Sequence, residues 1–317
     1  MSFITRKALS NSIRTRSQEL GFHACGIVAA KALPDDASRL RTWLDKGFNG
    51  EMGYMENHFE KRTDPTLLLP GAKSVIVLLH NYYPENELPG KDNYKVSKYA
   101  YGEDYHFVIK RKLKILLGEI TGNSSERRAR AFVDSAPVLE RAWAREAGLG
   151  WIGKNTCLIT KEQGSFFFIS VIITDLELEY YSGEVPNHCG GCTRCIDACP
   201  TNALGSSGLD ARKCISYLTI EYRREHLPGE FSGNMDDWIF GCDICQDVCP
   251  WNRLSEPHHQ AEFNPPEKLM EFDKEDWNRL DEAGFRELFR KSALKRTRYA
   301  GLKRNIEFVK KGRETTE

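Results

Sequence analysis

Two periods of apolar residues run through the first 183 positions of the chain. Residues 3–20 carry apolar side chains at helical spacing, and His23–Ala29 (HACGIVA) reads as a first strand. Residues 37–57, rich in Trp, Leu and Met, are expected to be helical. Pro70-Gly71 marks a turn, after which Ser74–Leu79 (SVIVLL) is a continuous apolar run and so a buried strand. The polar stretch 84–97 (PENELPGKDNYKVS) reads as loop, and residues 104–120 as an amphipathic helix. Ala129–Val133 is a short strand that runs into Asp134; Ala136–Gly148 is a helix with a glycine stop. Phe166–Thr174 (FFFISVIIT) is a long buried strand. Strands alternating with helices predict an α/β or α+β sheet domain over residues 1–183. An insert at 184–256 and a short helical C-terminal segment at 257–317 complete the expected layout. No internal repeat appears beyond two cysteine runs in the insert.

Those runs change the picture. Eight of the ten cysteines lie between residues 189 and 249. Cys189-x2-Cys192-x2-Cys195-x3-Cys199-Pro200 is the bacterial iron–sulfur spacing; Cys214 stands alone; Cys242-x2-Cys245-x3-Cys249-Pro250 closes the set. In a two-cluster protein of this kind the last cysteine of each run crosses to the partner cluster. One [4Fe-4S] cluster then takes Cys189, Cys192, Cys195 and Cys249. The other takes Cys199, Cys242 and Cys245, with Cys214 as its fourth ligand. Structural zinc also uses paired C-x2-C motifs, but this spacing follows the iron–sulfur rule. Disulfides are not expected, because the chain reads as intracellular. Two such clusters predict single-electron transfer.

Composition sets the frame for that module. The 317 residues are enough for two or more domains with a sizeable core. Lys+Arg and Asp+Glu both number 45, so overall charge selects no partner class. The N-terminus has no apolar signal region, and no apolar run reaches the roughly 18 residues of a membrane span. A soluble, cytoplasmic protein is expected. Charge is uneven nonetheless. Residues 261–282 hold eight acids and three bases, whereas 285–313 hold eleven bases and two acids. The basic stretch is either a phosphate-binding surface or a solvated helix face. Lys110, Arg111, Lys112 and Lys114 form a second cluster, expected to be the wet side of an amphipathic helix.

No nucleotide-phosphate signature is present. Gly148-Leu149-Gly150-Trp151-Ile152-Gly153-Lys154-Asn155 fits neither a Walker A loop nor the dinucleotide fingerprint. It is either a plain turn or a loop whose glycines let the backbone approach a bulky ligand.

Several segments together resemble the epoxyqueuosine reductases. They are KRTDPTLLLPGAKSVIVLLHNYY (61–83), YAYGEDYHFVIKRKL (99–113), FVDSAPVLERAWAREAGLGWIGKNTCLIT (132–160), the double-cluster insert, CISYLTIE (214–221) and DEAGFRELFRKSALKRTRYAGLKRNI (281–306). The similarity covers nearly the whole chain. It implies a cobalamin-dependent iron–sulfur enzyme that removes the epoxide oxygen from epoxyqueuosine at the tRNA wobble position, the last step of queuosine biosynthesis. Cobalamin and two [4Fe-4S] clusters are the implied cofactors. The implied partners are tRNA carrying epoxyqueuosine and an external electron donor; no membrane is involved, and a monomer is expected. Many members continue into a C-terminal helical-repeat domain, whereas this chain stops soon after the basic segment.

The resemblance also suggests roles for individual residues. Asp134, otherwise a plain turn acid or helix cap, matches the family's catalytic aspartate. Facing cobalamin and a nucleoside, its carboxyl would be desolvated, which favours the protonated form needed to protonate the leaving oxygen. Arg62, Tyr101, Asp104, His106, Trp151, Lys154, Asn155 and Leu158 are the expected cobalamin contacts, with Asp134 at the same face. No DxHxxG motif occurs, so base-off cobalamin without a histidine ligand is expected. Cys157 is either a cobalt neighbour or a structural thiol. For tRNA, Arg223, Arg224, Lys295, Arg296, Arg298 and Arg304 are the candidate phosphate contacts. Tyr217 and Tyr222 either stack on bases or pack in the core. Two other functions fit part of the pattern: a cobalamin/iron–sulfur reductive dehalogenase, and a ferredoxin-type electron carrier.

Overall fold

The computed structural model describes residues 3–90, 92–122, 127–183, 185–206 and 208–314. Helix α1 (Phe3–Glu19) leads into strand β1 (Ala24–Ala29), followed by α2 (Pro34–Asp45), the short α3 (Phe59–Thr63) and β2 (Ser74–Asn81). The two-residue β3 (Lys95–Val96) precedes α4 (Tyr105–Thr121), β4 (Ala129–Phe132) and α5 (Glu140–Glu146). A small hairpin, β5 (Trp151–Ile152) and β6 (Leu158–Ile159), then gives way to β7 (Phe167–Thr174). The main sheet has the order β1-β2-β7-β4 and is antiparallel throughout.

That topology narrows the expectation to α+β. The apolar runs of β2 and β7 had suggested strands covered on both faces, and they are. Ile76 and Leu78 face α1 and α4, packing with Ile13, Val108, Ile109, Leu113 and Leu116. Val75, Val77 and Leu79 face the other way, toward Leu69, Val138 and Trp143. The side-chain period of two therefore feeds two cores, and an antiparallel strand between two layers reads like a parallel one. Three local expectations are corrected. The helix expected over 37–57 stops at Asp45, because the chain turns at Gly47 and Gly50, both with positive φ. At Gly50 a Cβ would also stand 2.5 Å from the Tyr217 hydroxyl. The loop 84–97 contains β3, which pairs with a strand of the insert. The helix expected from Ala136 begins only at Glu140, after the bend around Pro137.

The insert contains α6 (Arg194–Asp197), β8 (Leu204–Gly205), β9 (Gly208–Leu209), α7 (Ile215–Ile220), β10 (Trp238–Phe240) and α8 (Ile244–Asp247). Beyond it come α9 (Glu267–Met270), α10 (Lys274–Arg279), α11 (Glu282–Leu288) and α12 (Arg298–Glu314). A single core joins residues 94–101, 211–240 and 269–309, so the last helices share their packing with the insert. Fully buried Asn305 pins α12 by donating to the Thr219 and Ile239 carbonyls, each at 2.9 Å. No helix among the described residues is long and apolar enough to cross a membrane.

Candidate active site

The edge strand β4 ends at Phe132, and two residues later Asp134 takes a left-handed backbone, φ 50°. A non-glycine residue in that region is uncommon and marks a position the surroundings enforce. The surroundings are the first residues of α4. The Tyr105 hydroxyl donates to Asp134 Oδ2, while its ring stacks on Phe168 at 4.1 Å and on His106 at 4.2 Å. Burial, reinforced by the Asp134 charge, holds the Tyr105 phenol well above its ordinary range, so it stays a donor. His106 Nε2 lies 3.8 Å from the same Oδ2, and its Nδ1 lies 2.8 Å from Asp104 Oδ1. Burial raises the Asp104 carboxyl, but hydrogen bonds from His106 and from Lys295 outweigh it and leave the group below the usual carboxylate range. His106 therefore bridges two carboxylates. The Asp134 side chain is 65% exposed, so its desolvation is not supplied by the chain's own atoms.

Around Asp134 stand three groups the sequence reading had missed, Tyr54, Tyr99 and Glu140, together with Arg296, which it had assigned to tRNA; all four lie within reach of the Asp134 charge. Arg296 is held by Glu221 through two bonds of 2.6 and 2.9 Å. Arg62 is 8% exposed and donates to the Tyr54 carbonyl at 2.9 Å, yet its Nε has no partner; Glu140 Oε1 is likewise enclosed and unpartnered. Burial, with the Asp134 charge adding to it, pushes the Glu140 carboxyl up to about 8. Because the folded pKa exceeds the ordinary 4.5, the stabilising contribution of the bound proton is complete below pH 4.5 and is lost as pH rises through 8. Glu140→Gln is therefore expected to match the parent near pH 4.5 and to be more stable at pH 9, by on the order of 5 kcal/mol. Denaturant midpoints across that pH range check it; a constant difference would contradict it.

The glycine-rich segment forms the β5–β6 hairpin. Gly150 is required there: at φ 158° a Cβ would stand 2.2 Å from the Ile159 carbonyl oxygen. The hairpin tip reaches both cysteine runs. Lys154 Nζ donates to the Gly190 and Cys192 carbonyls at 2.8 and 3.0 Å, and Asn155 Nδ2 donates to the Cys245 carbonyl at 3.2 Å. Arg141, next to Glu140, donates to the Thr156 carbonyl at 2.5 Å. Trp151 packs edge-on against His188 and Trp251, and Leu158 lies in the sheet core. Lys154 and Asn155 thus act as clamps on the insert, and Leu158 as core packing. Tyr101 is buried beside Lys98 in the insert-side core, apart from the Asp134 group. Of the expected contacts, Arg62, Asp104, His106 and Asp134 are brought together.

The cysteines fall into two neighbourhoods. Cys249 interacts electrostatically with Cys189 and Cys192, and Cys195 with Cys189 and Cys249. Cys242 interacts with Cys214 and Cys199, and Cys245 with Cys242 and Cys214. No two cysteines form a disulfide. Burial raises the thiols of Cys214, Cys242 and Cys245. Cys157 is half-buried near Cys245, and desolvation pushes its thiol up to about 11. The second run is anchored by a segment the sequence reading left as loop. Asp243 accepts from the Ser97 hydroxyl and, at 2.7 Å, from the Lys98 amide; Lys98 Nζ lies 2.8 Å from Asp247.

The candidate tRNA residues divide as well. Tyr217 is buried, and its hydroxyl accepts from the Glu51 amide at 2.7 Å, so its ring is not free to stack on a base. Arg304 donates to the Leu218, Tyr222 and Arg224 carbonyls, and so it caps the end of α7 rather than facing solvent. Arg223, Arg224, Lys295, Arg296 and Arg298 are exposed, while Tyr222 is half-buried.

Residues 188–252 match the family model for a 4Fe-4S double cluster binding domain, and residues 62–135 match the model described as epoxyqueuosine reductase QueG, DUF1730. An acid-bearing sheet domain clamped to a double-cluster module defines an iron–sulfur oxidoreductase. The epoxyqueuosine reductase of Cellulophaga algicola is 55% identical over 96% of this chain and 99% of its own length; that of Leadbetterella byssophila is 54% identical over 95% and 98%. The chain belongs to the epoxyqueuosine reductase family. Among solved structures, an epoxyqueuosine reductase with an epoxyqueuosine-modified tRNA-Tyr stem loop superposes with a TM-score of 0.85 at 29% identity, covering 95% of this chain and 80% of that one. One from Bacillus subtilis, described with its catalytic aspartate loop swung out of the active site, gives 0.85 at 27% over 95% and 81%.

Proposed function

We propose that this protein reduces epoxyqueuosine to queuosine at the wobble position of tRNA, with Asp134 as proton donor to the departing oxygen. The observation that carries this is the setting of Asp134: a left-handed residue fixed by Tyr105 and flanked by His106, one hairpin away from both cysteine runs. Opening the epoxide to an alkene consumes two electrons and two protons and releases water. Cys189, Cys192, Cys195 and Cys249 would hold one cluster, and Cys199, Cys214, Cys242 and Cys245 the other; when bound, such clusters supply single-electron transfer. Asp134 gives its proton to the epoxide oxygen, and His106 Nε2, 3.8 Å away, is placed to restore it. Substrate closing over the exposed carboxyl supplies the desolvation that the chain lacks.

The residues around Asp134 fit a corrin. Its amide side chains offer both donors and acceptors, and the buried, unpartnered Arg62 Nε and Glu140 Oε1 offer the complementary pair. Arg62, Glu140 and the residues beside Asp134 would hold cobalamin, which supplies a reducible cobalt for the carbon–oxygen chemistry. Titration of the cluster-loaded protein with cobalamin, followed by absorbance, is expected to saturate at one equivalent. Arg62→Met is expected to weaken that binding about tenfold, as loss of a charged hydrogen bond does. Unchanged affinity in the variant would remove Arg62 from the site. The dehalogenase and electron-carrier readings leave the near full-length match to epoxyqueuosine reductases unexplained.

A further inference from the structure

The outer face of α4 is more than a solvated helix side. Phe107, Lys110, Arg111 and Lys114 follow one another at i, i+3, i+4 and i+7, so they form one stripe. With Glu103 and Lys291 they line an open groove of about 460 Å³. Phe107 is 52% exposed, which is unusual for a large apolar ring among charges, and Lys295 Nζ lies over it at 4.4 Å. Arg111 is paired with Glu262 and Lys291 with Glu103, while Lys110 and Lys114 have no carboxylate partner among the described residues. Of the six lining groups, four are cationic and one is anionic.

The groove lies close to the active site: Lys295, whose Nζ stands over Phe107, also lies 3.3 Å from Asp104, the partner of His106. Tyr105 and His106, which hold Asp134, are the residues immediately before Phe107 on the same helix. A positively charged channel with an exposed aromatic ring is the chemistry that recognises a nucleic-acid strand: cations track phosphates, and the ring takes a base. We propose that this stripe binds the RNA flanking the modified nucleotide, with Lys110 and Lys114 on phosphates and Phe107 stacked on a base. The proposal rests on the tRNA-reductase reading and adds a contact surface on α4, which Lys291 and Lys295 join to the basic C-terminal segment.

The test is binding of epoxyqueuosine-containing tRNA to the cluster-loaded protein at several salt concentrations. Lys110→Gln/Lys114→Gln is expected to lower the slope of log affinity against log salt by about two, roughly one per phosphate contact. Phe107→Ala is expected to weaken binding about tenfold with the slope unchanged, the signature of a lost stack. Lys7→Gln, on exposed α1, serves as the charge control and should change neither. Iron content and absorbance of each variant verify that the fold and clusters are intact. Affinity and slope unchanged in both α4 variants would overturn the proposal. So would slower cluster reduction by a protein donor with tRNA binding unaltered, since the stripe would then serve that donor. If the parent protein itself neither binds nor converts the tRNA, the reductase reading fails, which the variants' behaviour alone cannot mimic.

Discussion

Asp134→Asn is expected to slow epoxide reduction at least a hundredfold while leaving tRNA and cobalamin binding within about twofold of the parent protein. The size follows from the role: a positioned general acid contributes about 10²–10⁴ in rate. The substitution isolates that role because little else changes. Asn is close in shape to Asp and is among the few residues that tolerate a left-handed backbone, so φ 50° is kept. Its amide oxygen can still accept from Tyr105, so the stack of Tyr105 on Phe168 is preserved. Only the transferable proton is lost. Single-turnover conversion at saturating tRNA, with the clusters fully reduced, measures it; turnover near the parent rate would remove Asp134 as donor.

Cys214→Ala is expected to be more severe. The residue lies outside both cysteine runs, at the start of α7, with its thiol buried near Cys199. If it is the fourth ligand of the second cluster, its loss leaves three thiolates there. Iron content should then fall from about eight to about four atoms per chain, and turnover should drop below detection. The first cluster, with Cys249 as its proposed cross-run ligand, should persist. Cys25→Ala, at a buried thiol of β1 remote from the insert, is the comparison and should retain full iron. Eight irons in the Cys214 variant would break the proposed ligand assignment.

The sequence displayed some of this molecule openly and hid the rest for physical reasons. Seven of the eight clustered cysteines come at short spacings, so the two runs were legible before any fold was known, whereas Cys214 was assigned by ligand count alone. Strand positions were legible too, because β2 and β7 are apolar on both faces. Their antiparallel pairing was not, since burial on both sides erases the alternation that distinguishes the two sheet types. Long-range partners were the other blind spot. Nothing local marks Tyr105 as the donor to Asp134, 29 positions away, or Glu140 as an enclosed carboxyl. Lys154 and Asn155 were singled out as cofactor contacts; in the structure they grip the insert through backbone carbonyls, which no side-chain pattern encodes. Tyr217 and Arg304 show the converse: residue types suited to RNA serve packing and helix capping here.

The central claim is that this chain, which would hold two clusters and cobalamin to supply the electrons, removes the epoxide oxygen with a proton from Asp134. Anaerobic incubation of the reconstituted protein with epoxyqueuosine-containing tRNA and a chemical reductant, with and without cobalamin, tests it most directly. Nucleoside mass analysis should show queuosine, one oxygen lighter than its precursor, only when cobalamin is present. Equal conversion in its absence would contradict the account.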